Sequence, residues 1–374
     1  MTPGYFLYHS IGQYPEKAAE MTAALSEYAS IWAAGDDSQW PRVLERRAEF
    51  IQLWEALIGA PQGTLTTAEN VTTALYSLIG ALAADRLRGK RVLVTADCFP
   101  SLHFLLAGLA DRFGFSLDTV PLRQGESWVR DEDILDRWGP DVGLALLTFV
   151  TSTASWRCDL KALTVHGRNM GSIVVHDLTQ GIGIIPYSLA EFAPDVVVST
   201  SLKWLCGASG AGIIQIRPDL IRDLRPELRG WFSQPNPFAW DLDGFDYAPD
   251  VRRFDHGTPS VLAAVASVPA LRWHAAQDGA AILAHNRALQ AQIIDGVQGL
   301  NLSLAGPEEE ARRGGSVMVR LPNSVDAGAV IDALRGQRLH TDCRGQVMRL
   351  SPGVMTGEAH VARLIEALGG LLKT

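Results

Sequence analysis

The sequence predicts an α/β protein, with a large domain on a mostly parallel sheet followed by a small α+β C-terminal domain. Three observations carry that prediction. Short apolar, β-branched runs recur at residues 91–95, 142–150, 173–175 and 196–198. Runs of this kind bounded by polar residues read as buried strands of a parallel sheet. Segments with apolar residues at helical spacing lie among them, and such alternation builds a sheet covered by helices. From about residue 263 the order changes to helix, short strands and a closing helix. The division expected is an N-terminal arm and helix (1–44), a large domain (45–262) and a small domain (263–374).

Taken in order, residues 1–15 read as an extended arm broken by Gly12 and Pro15. Residues 16–34 and 43–59 have apolar positions at helical spacing, and Gly59, Ala60 and Pro61 end the second helix. A brief strand at 64–67 precedes Asn70, Val71, Thr72 and Thr73, which open a helix over 74–84. The strand 91–95 runs into Asp97–Cys98–Phe99–Pro100–Ser101 and a helix to Arg112. After the strand 142–150 come a polar loop at 151–157 and a helix at 160–170. A strand at 213–216 and a short turn or helix at 219–225 follow. Residues 230–259 are rich in Trp, Phe, Asp and Pro without periodicity, and long irregular segments in compact enzymes are usually functional. A helix at 260–274 leads to strands at 316–321, 337–341 and 347–351 and a last helix at 357–372.

Composition bounds the function. The chain of 374 residues is 47% hydrophobic and 20% charged, which suits a soluble α/β enzyme and excludes disordered or fibrous classes. A formal charge of −8 argues against nucleic acid or an anionic membrane as partner. No apolar run is long enough to span a bilayer, and the start MTPGYFLYHS lacks the pattern of a secretory signal. The four cysteines are dispersed without CxxC, and the nine histidines form no HExxH. Reduced thiols in a cytoplasmic protein are expected, with no disulfide framework and no metal.

The chemistry centres on residues 172–212. Two apolar runs there end in polar residues, the first at His176–Asp177 and the second at Ser199–Thr200–Ser201 just before Lys203. Open α/β sheets bind ligands at the carboxyl ends of their strands. An Asp and a Lys at adjacent strand ends suit pyridoxal phosphate (PLP): the amine forms the Schiff base and the carboxylate keeps the pyridinium nitrogen protonated. Leu202, Trp204 and Leu205 flank Lys203, and apolar surroundings lower a lysine pKa. A lone lysine is more often a surface residue. Asp177, Gln180, the hydroxyl run and Lys203 together point to PLP. Asn70–Thr73 reads either as an ordinary helix cap or as a phosphate cradle of free N–H groups, and the downstream lysine favours the cradle. Phe99 is either a ring-stacking residue or core.

On these residues the chain resembles the fold type I PLP enzymes of the class V aminotransferase group, and among them kynureninases. The segments HDLTQGIG and STSLKWLCGASGAG look like that family's aspartate and lysine strands, and CFPS like its FPT/FPS motif. RGWF with RRFDHGTPSVL, TDCRGQVMRLSP, and SIGQYP near the start are similar to further family stretches. The resemblance implies a large domain of the seven-stranded type and PLP as cofactor. By it, Val71 and Thr72 hold the phosphate, Phe99 stacks on the ring, and Asp177 pairs with the ring nitrogen. Thr148, Gln180, Thr200 and Ser201 line the cofactor around Lys203. Arg349 clamps the α-carboxylate of an amino-acid substrate, with His9 and Ser10 of the arm beside it. Trp231 and Thr258 would reach a neighbouring subunit's cofactor, so a homodimer with shared sites is implied.

The chain departs from the kynureninase pattern in four places: Leu202 for a tyrosine, Leu102 for an aspartate, Gln180 for a histidine, and the arm stretch Tyr8–His9–Ser10 for Gly-Asn-Ser. They leave fold and cofactor untouched and bear on the substrate. The leading expectation is hydrolytic Cβ–Cγ cleavage of an amino-acid side chain, as in kynureninase. The alternative is a class V aminotransferase or a cysteine desulfurase-like C–S lyase, because D-x-x-Q is similar to desulfurases. Cys343 would be the nucleophile of a desulfurase, but Asp342 and Arg344 match the kynureninase D-x-R pattern and make Cys343 its inert middle residue.

Overall fold

The computed structural model describes residues 2–372. The arm begins with β1 (Gly4–Tyr5) and leads into helices α1 (Lys17–Trp32) and α2 (Gln39–Ile58). The large layer then runs β2 (Leu65–Ala68), α3 (Val71–Ile79), α4 (Ala84–Leu87), β3 (Arg91–Thr95), α5 (Pro100–Phe113), β4 (Ser116–Val120) and α6 (Asp131–Arg137). It continues through β5 (Val142–Thr148), α7 (Leu160–Asn169), β6 (Ile173–Asp177), α8 (Leu189–Phe192), β7 (Val196–Thr200), β8 (Gly212–Ile216) and α9 (Pro218–Ile221). Two 3-10 turns, Trp231–Ser233 and Val251–Phe254, interrupt the irregular segment. Helices α10 (Leu262–Ala275) and α11 (Gly279–Gly299) lead to the last layer. That layer holds β9 (Ser303–Leu304), β10 (Val317–Arg320), α12 (Ala327–Gly336), β11 (Leu339–His340), β12 (Asp342–Arg344), β13 (Val347–Leu350) and α13 (Glu358–Leu371).

The large sheet has seven strands in the order β2-β8-β7-β6-β5-β3-β4. All run parallel except β8, which is antiparallel to both β7 and β2. Its strands are apolar on both faces. Leu93, Ala145, Leu147, Val174 and Val197 enter one buried cluster, while Val94, Leu144, Leu146, Val175 and Val198 enter another. This two-sided burial is why the sequence shows continuous apolar runs rather than alternation. The parallel registers bring Thr148 opposite Asp177 and set the ends of β5, β6 and β7 along one edge.

Several expectations shift. The helix expected at 74–84 starts at Val71 and breaks after Ile79 at Gly80, because Asn70 caps it in a reciprocal box with Thr73. The strand expected at 337–341 divides at Thr341: β11 pairs with β1, whereas β12 turns back against β13. The strand β4 and the helices α6, α11 and α12 are additional to the sequence reading.

The arm is part of the C-terminal layer. Gly4 and Tyr5 pair with Leu339 and His340, Leu7 bridges Ser351, and Phe6 is fully buried among Leu289, Val317, Leu339 and Leu350. Replacing Phe6 by alanine is expected to cost about 3–5 kcal/mol, the range for deleting a buried phenyl group. A urea midpoint almost unchanged in the variant would show that the arm is not anchored there.

Candidate active site

The segment from Ser201 to Ala211 is the loop of a hairpin between β7 and β8, and Lys203 sits on it. Its shape is fixed from several sides. Ser201 N–H donates to Ala211 O, Cys206 N–H to Lys203 O, and Gly207 N–H to Ser201 O. The arm also crosses it, with Gly12 N–H donating to Leu202 O at 3.0 Å. A Cβ on Gly12 would lie 1.9 Å from Lys203 O, so only glycine permits this approach. The Lys203 ammonium lies 5.4 Å from the centroid of the Phe99 ring. Phe99 precedes α5 and is 44% exposed, leaving its ring open to a flat partner.

Asp177 closes β6 and is 3% exposed. Its Oδ1 accepts the Thr179 N–H at 3.0 Å. Burial raises the carboxyl pKa, against opposing contacts from Thr179 and the Lys203 charge. Burial likewise pulls the Lys203 amine down to about 8; Asp177 opposes that shift and the Arg349 charge adds to it. An amine poised near neutrality beside a desolvated carboxylate suits proton transfer.

The polar groups around this pair fit PLP. Thr148, whose register partner is Asp177, has a buried hydroxyl with no hydrogen-bond partner, a group that burial penalises unless a ligand satisfies it. At the start of α3, Asn70 Oδ1 accepts Thr73 N–H and Thr73 Oγ1 accepts Asn70 N–H. That box leaves the N–H groups of Val71 and Thr72 free at a helix N-terminus, which favours a phosphate. Thr200, at the end of β7, makes no side-chain hydrogen bond among the described residues. Ser201 differs: it is fully buried, accepts from Trp54 Nε1 at 3.0 Å and donates to Ala211 O at 2.9 Å, so its hydroxyl belongs to the scaffold. Gln180 donates to the carbonyl of His9 at 3.1 Å, tying the aspartate strand to the arm.

On the substrate side, the register of β12 with β13 puts Asp342 opposite Arg349. Arg349 Nε donates to Asp342 Oδ1 at 2.8 Å and its Nη2 donates to Oδ2, a bidentate pair. Nη1 of Arg349 has no partner among the described residues. His9 Nε2 lies 3.1 Å from Asp342 Oδ1, off the line of an ideal hydrogen bond. Nδ1 of His9 lies 2.6 Å from Ser351 Oγ, which in turn meets Ser316 Oγ at 2.6 Å. Ser10 closes a backbone turn on Leu7 and makes no contact with Arg349. Trp231 meets Trp40, Phe232 and Phe238 edge to face, and Thr258 lines a cavity of about 800 Å³ with Arg47, Thr73 and Ser209. Among the described residues no hydrogen bond, ion pair or ring contact joins either to Lys203 or Asp177. Ser316 and Ser351 were missed by the sequence reading, since a serine at a strand end carries no signal of what lies opposite.

The chain is similar in sequence and fold to known proteins. The chain is 26% identical to kynureninase of Pseudomonas fluorescens over 97% of this chain and 88% of that protein. Its fold superposes on the apo cysteine desulfurase of Thermococcus onnurineus NA1 with a TM-score of 0.88 at 18% identity, covering 99% of this chain and 95% of that one. It also superposes on a mutant of C-DES solved with glycine covalently linked to its PLP cofactor. There the TM-score is 0.87 at 19% identity, over 99% of this chain and 97% of that one. The fold is that of the type I PLP enzymes, and PLP is the cofactor of this chain. The family model of the class-V aminotransferases matches residues 49–346, which include the strand ends and the lysine loop, and the chain belongs to that family.

Proposed function

We propose that this class V enzyme is a kynureninase-like hydrolase, cleaving the Cβ–Cγ bond of an α-amino acid whose side chain carries a γ-carbonyl. The observation that carries this reading is the β12–β13 register. It pairs Arg349 with Asp342, which suits a guanidinium kept for an α-carboxylate, and packs the half-buried Cys343, opposite Met348, against the C-terminal core. Burial pushes the Cys343 thiol up to about 11 and those of Cys98 and Cys206 up to about 12, and it raises Cys158 well above the ordinary thiol value. A desulfurase needs an acidic thiol, and all four are shifted the other way, with Cys343 half-buried and the other three buried.

The chain's residues then have distinct tasks. Bound PLP supplies a carbonyl for the substrate amine and an electron sink for the bond that breaks. Val71 and Thr72, with the Thr200 hydroxyl, would hold its phosphate, Phe99 would cover its ring, and Asp177 would keep a proton on its nitrogen. Arg349 orients the amino acid through the carboxylate. Lys203 moves the proton at Cα, with a pKa that lets the amine both accept and release it near neutral pH. Trp231 and Thr258 match positions that in kynureninases reach the neighbouring subunit's cofactor, which favours a homodimer in which each subunit completes its neighbour's site. No helix among the described residues is long and apolar enough to cross a membrane.

The test is release of anthranilate from L-kynurenine, or of 3-hydroxyanthranilate from its 3-hydroxy form, followed by fluorescence when the PLP-loaded protein meets each. Turnover is expected, with Leu202, Leu102 and Gln180 as tolerated variants. Pyruvate, sulfide or keto-acid formation from other amino acids, with no aromatic amine released from kynurenine, would assign the site to an aminotransferase or a C–S lyase.

A further inference from the structure

We infer that His9 is a positioning residue for the substrate carboxylate, acting through Asp342 on Arg349; the inference rests on the amino-acid reading of the site. The imidazole is nearly inaccessible, with 1% of its side chain exposed, so it does not itself meet a substrate. Its neighbours fix its tautomer. Asp342 offers only acceptor oxygens, so Nε2 carries the hydrogen and Nδ1 accepts from the Ser351 hydroxyl. Ser351 Oγ is then the acceptor for the Ser316 hydroxyl. The donors run one way, from Ser316 through Ser351 and His9 to Asp342.

This chain ends on the carboxylate that orients Arg349. Asp342 occupies the Nε–Nη2 edge of the guanidinium and leaves Nη1 and the outer hydrogen of Nη2 for a second carboxylate. Burial tends to raise the Asp342 carboxyl, but contacts with His9 and Arg349 outweigh it and hold the group well below its ordinary range, so Asp342 stays charged. Burial holds the His9 pKa down, Asp342 opposes that, and the Arg349 and Lys203 charges push it lower still, so His9 stays neutral. A neutral donor adds no charge to compete with Arg349 for the substrate. Without it, Asp342 is left to Arg349 and, at 3.6 Å, the exposed Arg344, and can draw the Arg349 guanidinium away from the substrate. The position is set by the arm: Ser351 N–H donates to Phe6 O and Gln180 holds the His9 carbonyl, so the imidazole is pinned from both sides.

The test separates carboxylate recognition from everything else at the site. PLP-loaded protein is titrated with L-alanine and with ethylamine, which is alanine lacking the carboxylate, and binding is read from the cofactor's visible absorbance. The native chain is expected to prefer alanine. In His9→Leu that preference should shrink by roughly two- to tenfold, the scale of an ordinary net hydrogen bond, because Nε2 meets Asp342 at 3.1 Å but off the ideal line, with ethylamine binding unchanged. His9→Gln, which keeps an N–H donor, should restore part of it. Ser351→Ala leaves the imidazole in place but frees its tautomer, and should move the preference the same way by a smaller factor, so the inference does not depend on His9→Leu folding. An unchanged alanine-to-ethylamine preference in both His9→Leu and Ser351→Ala overturns the role of His9. No preference in the native chain overturns the amino-acid reading of the site and this inference with it.

Discussion

Replacing Lys203 by alanine is expected to lower turnover at least a thousandfold, in line with the loss of a proton-transfer group that also anchors the cofactor. The same substitution should leave the fold intact, because the Lys203 amine forms no hydrogen bond or ion pair among the described residues and only overlies the Phe99 ring. Its folded pKa of about 8 lies below its ordinary value, so the folded state disfavours the protonated amine. That penalty is fully present below pH 8 and disappears as the pH rises through the unfolded value near 10.5. The cofactor-free variant should therefore unfold at the same urea concentration as the native chain or higher at pH 7, with the difference closing in strong base. Borohydride reduction followed by mass spectrometry provides a second readout. The cofactor should be found on the Lys203 peptide of the native protein and on no peptide of the variant. Full activity in Lys203→Ala, or cofactor fixed elsewhere, would remove Lys203 from the mechanism.

How much of this site could be read beforehand depended on sequence distance and burial. Asp177 and Lys203 were legible because each follows an apolar run that must be a buried strand, and a polar residue at such an end has a predictable address. Boundaries were sharpest there too: β3 spans 91–95 as expected. Helix α11 escaped notice because its buried face carries Asn286 and Gln290, which donate to the backbone carbonyls of Gly314, Gly315 and Pro352. Buried polar residues that satisfy loop carbonyls erase the apolar periodicity that announces a helix. The strand β12 was equally hidden, since Asp342, Cys343 and Arg344 show no strand pattern and pair only because β13 folds back on them. The contact of His9 with Ser351 spans 342 positions, and no local pattern could foretell it. Ser201 shows the reverse case. Its place beside the lysine suggested the cofactor, yet Trp54, brought in by α2, takes its hydroxyl.

Asp177 should prove nearly as sensitive as Lys203, for a different reason. Asparagine at 177 keeps the shape of the side chain and still offers an oxygen to the Thr179 N–H. What it loses is the negative charge that can hold a proton on the cofactor's ring nitrogen. A preorganised charge aimed at the reacting group is worth about 10²–10³ in rate in a site that excludes water, and a loss of that order in kcat is expected for Asp177→Asn. Stability should move the other way. Burial raises the Asp177 pKa, so the folded chain disfavours its ionised form, and the neutral amide removes that cost at pH 7. A cofactor-free Asp177→Asn protein that melts at or above the native temperature, binds PLP and turns over slowly would fit a carboxylate kept for chemistry at the expense of stability. Native turnover in the same variant would mean that the ring nitrogen needs no charged partner in this chain. Asp177 would then be a structural residue of β6, held by Thr179 alone.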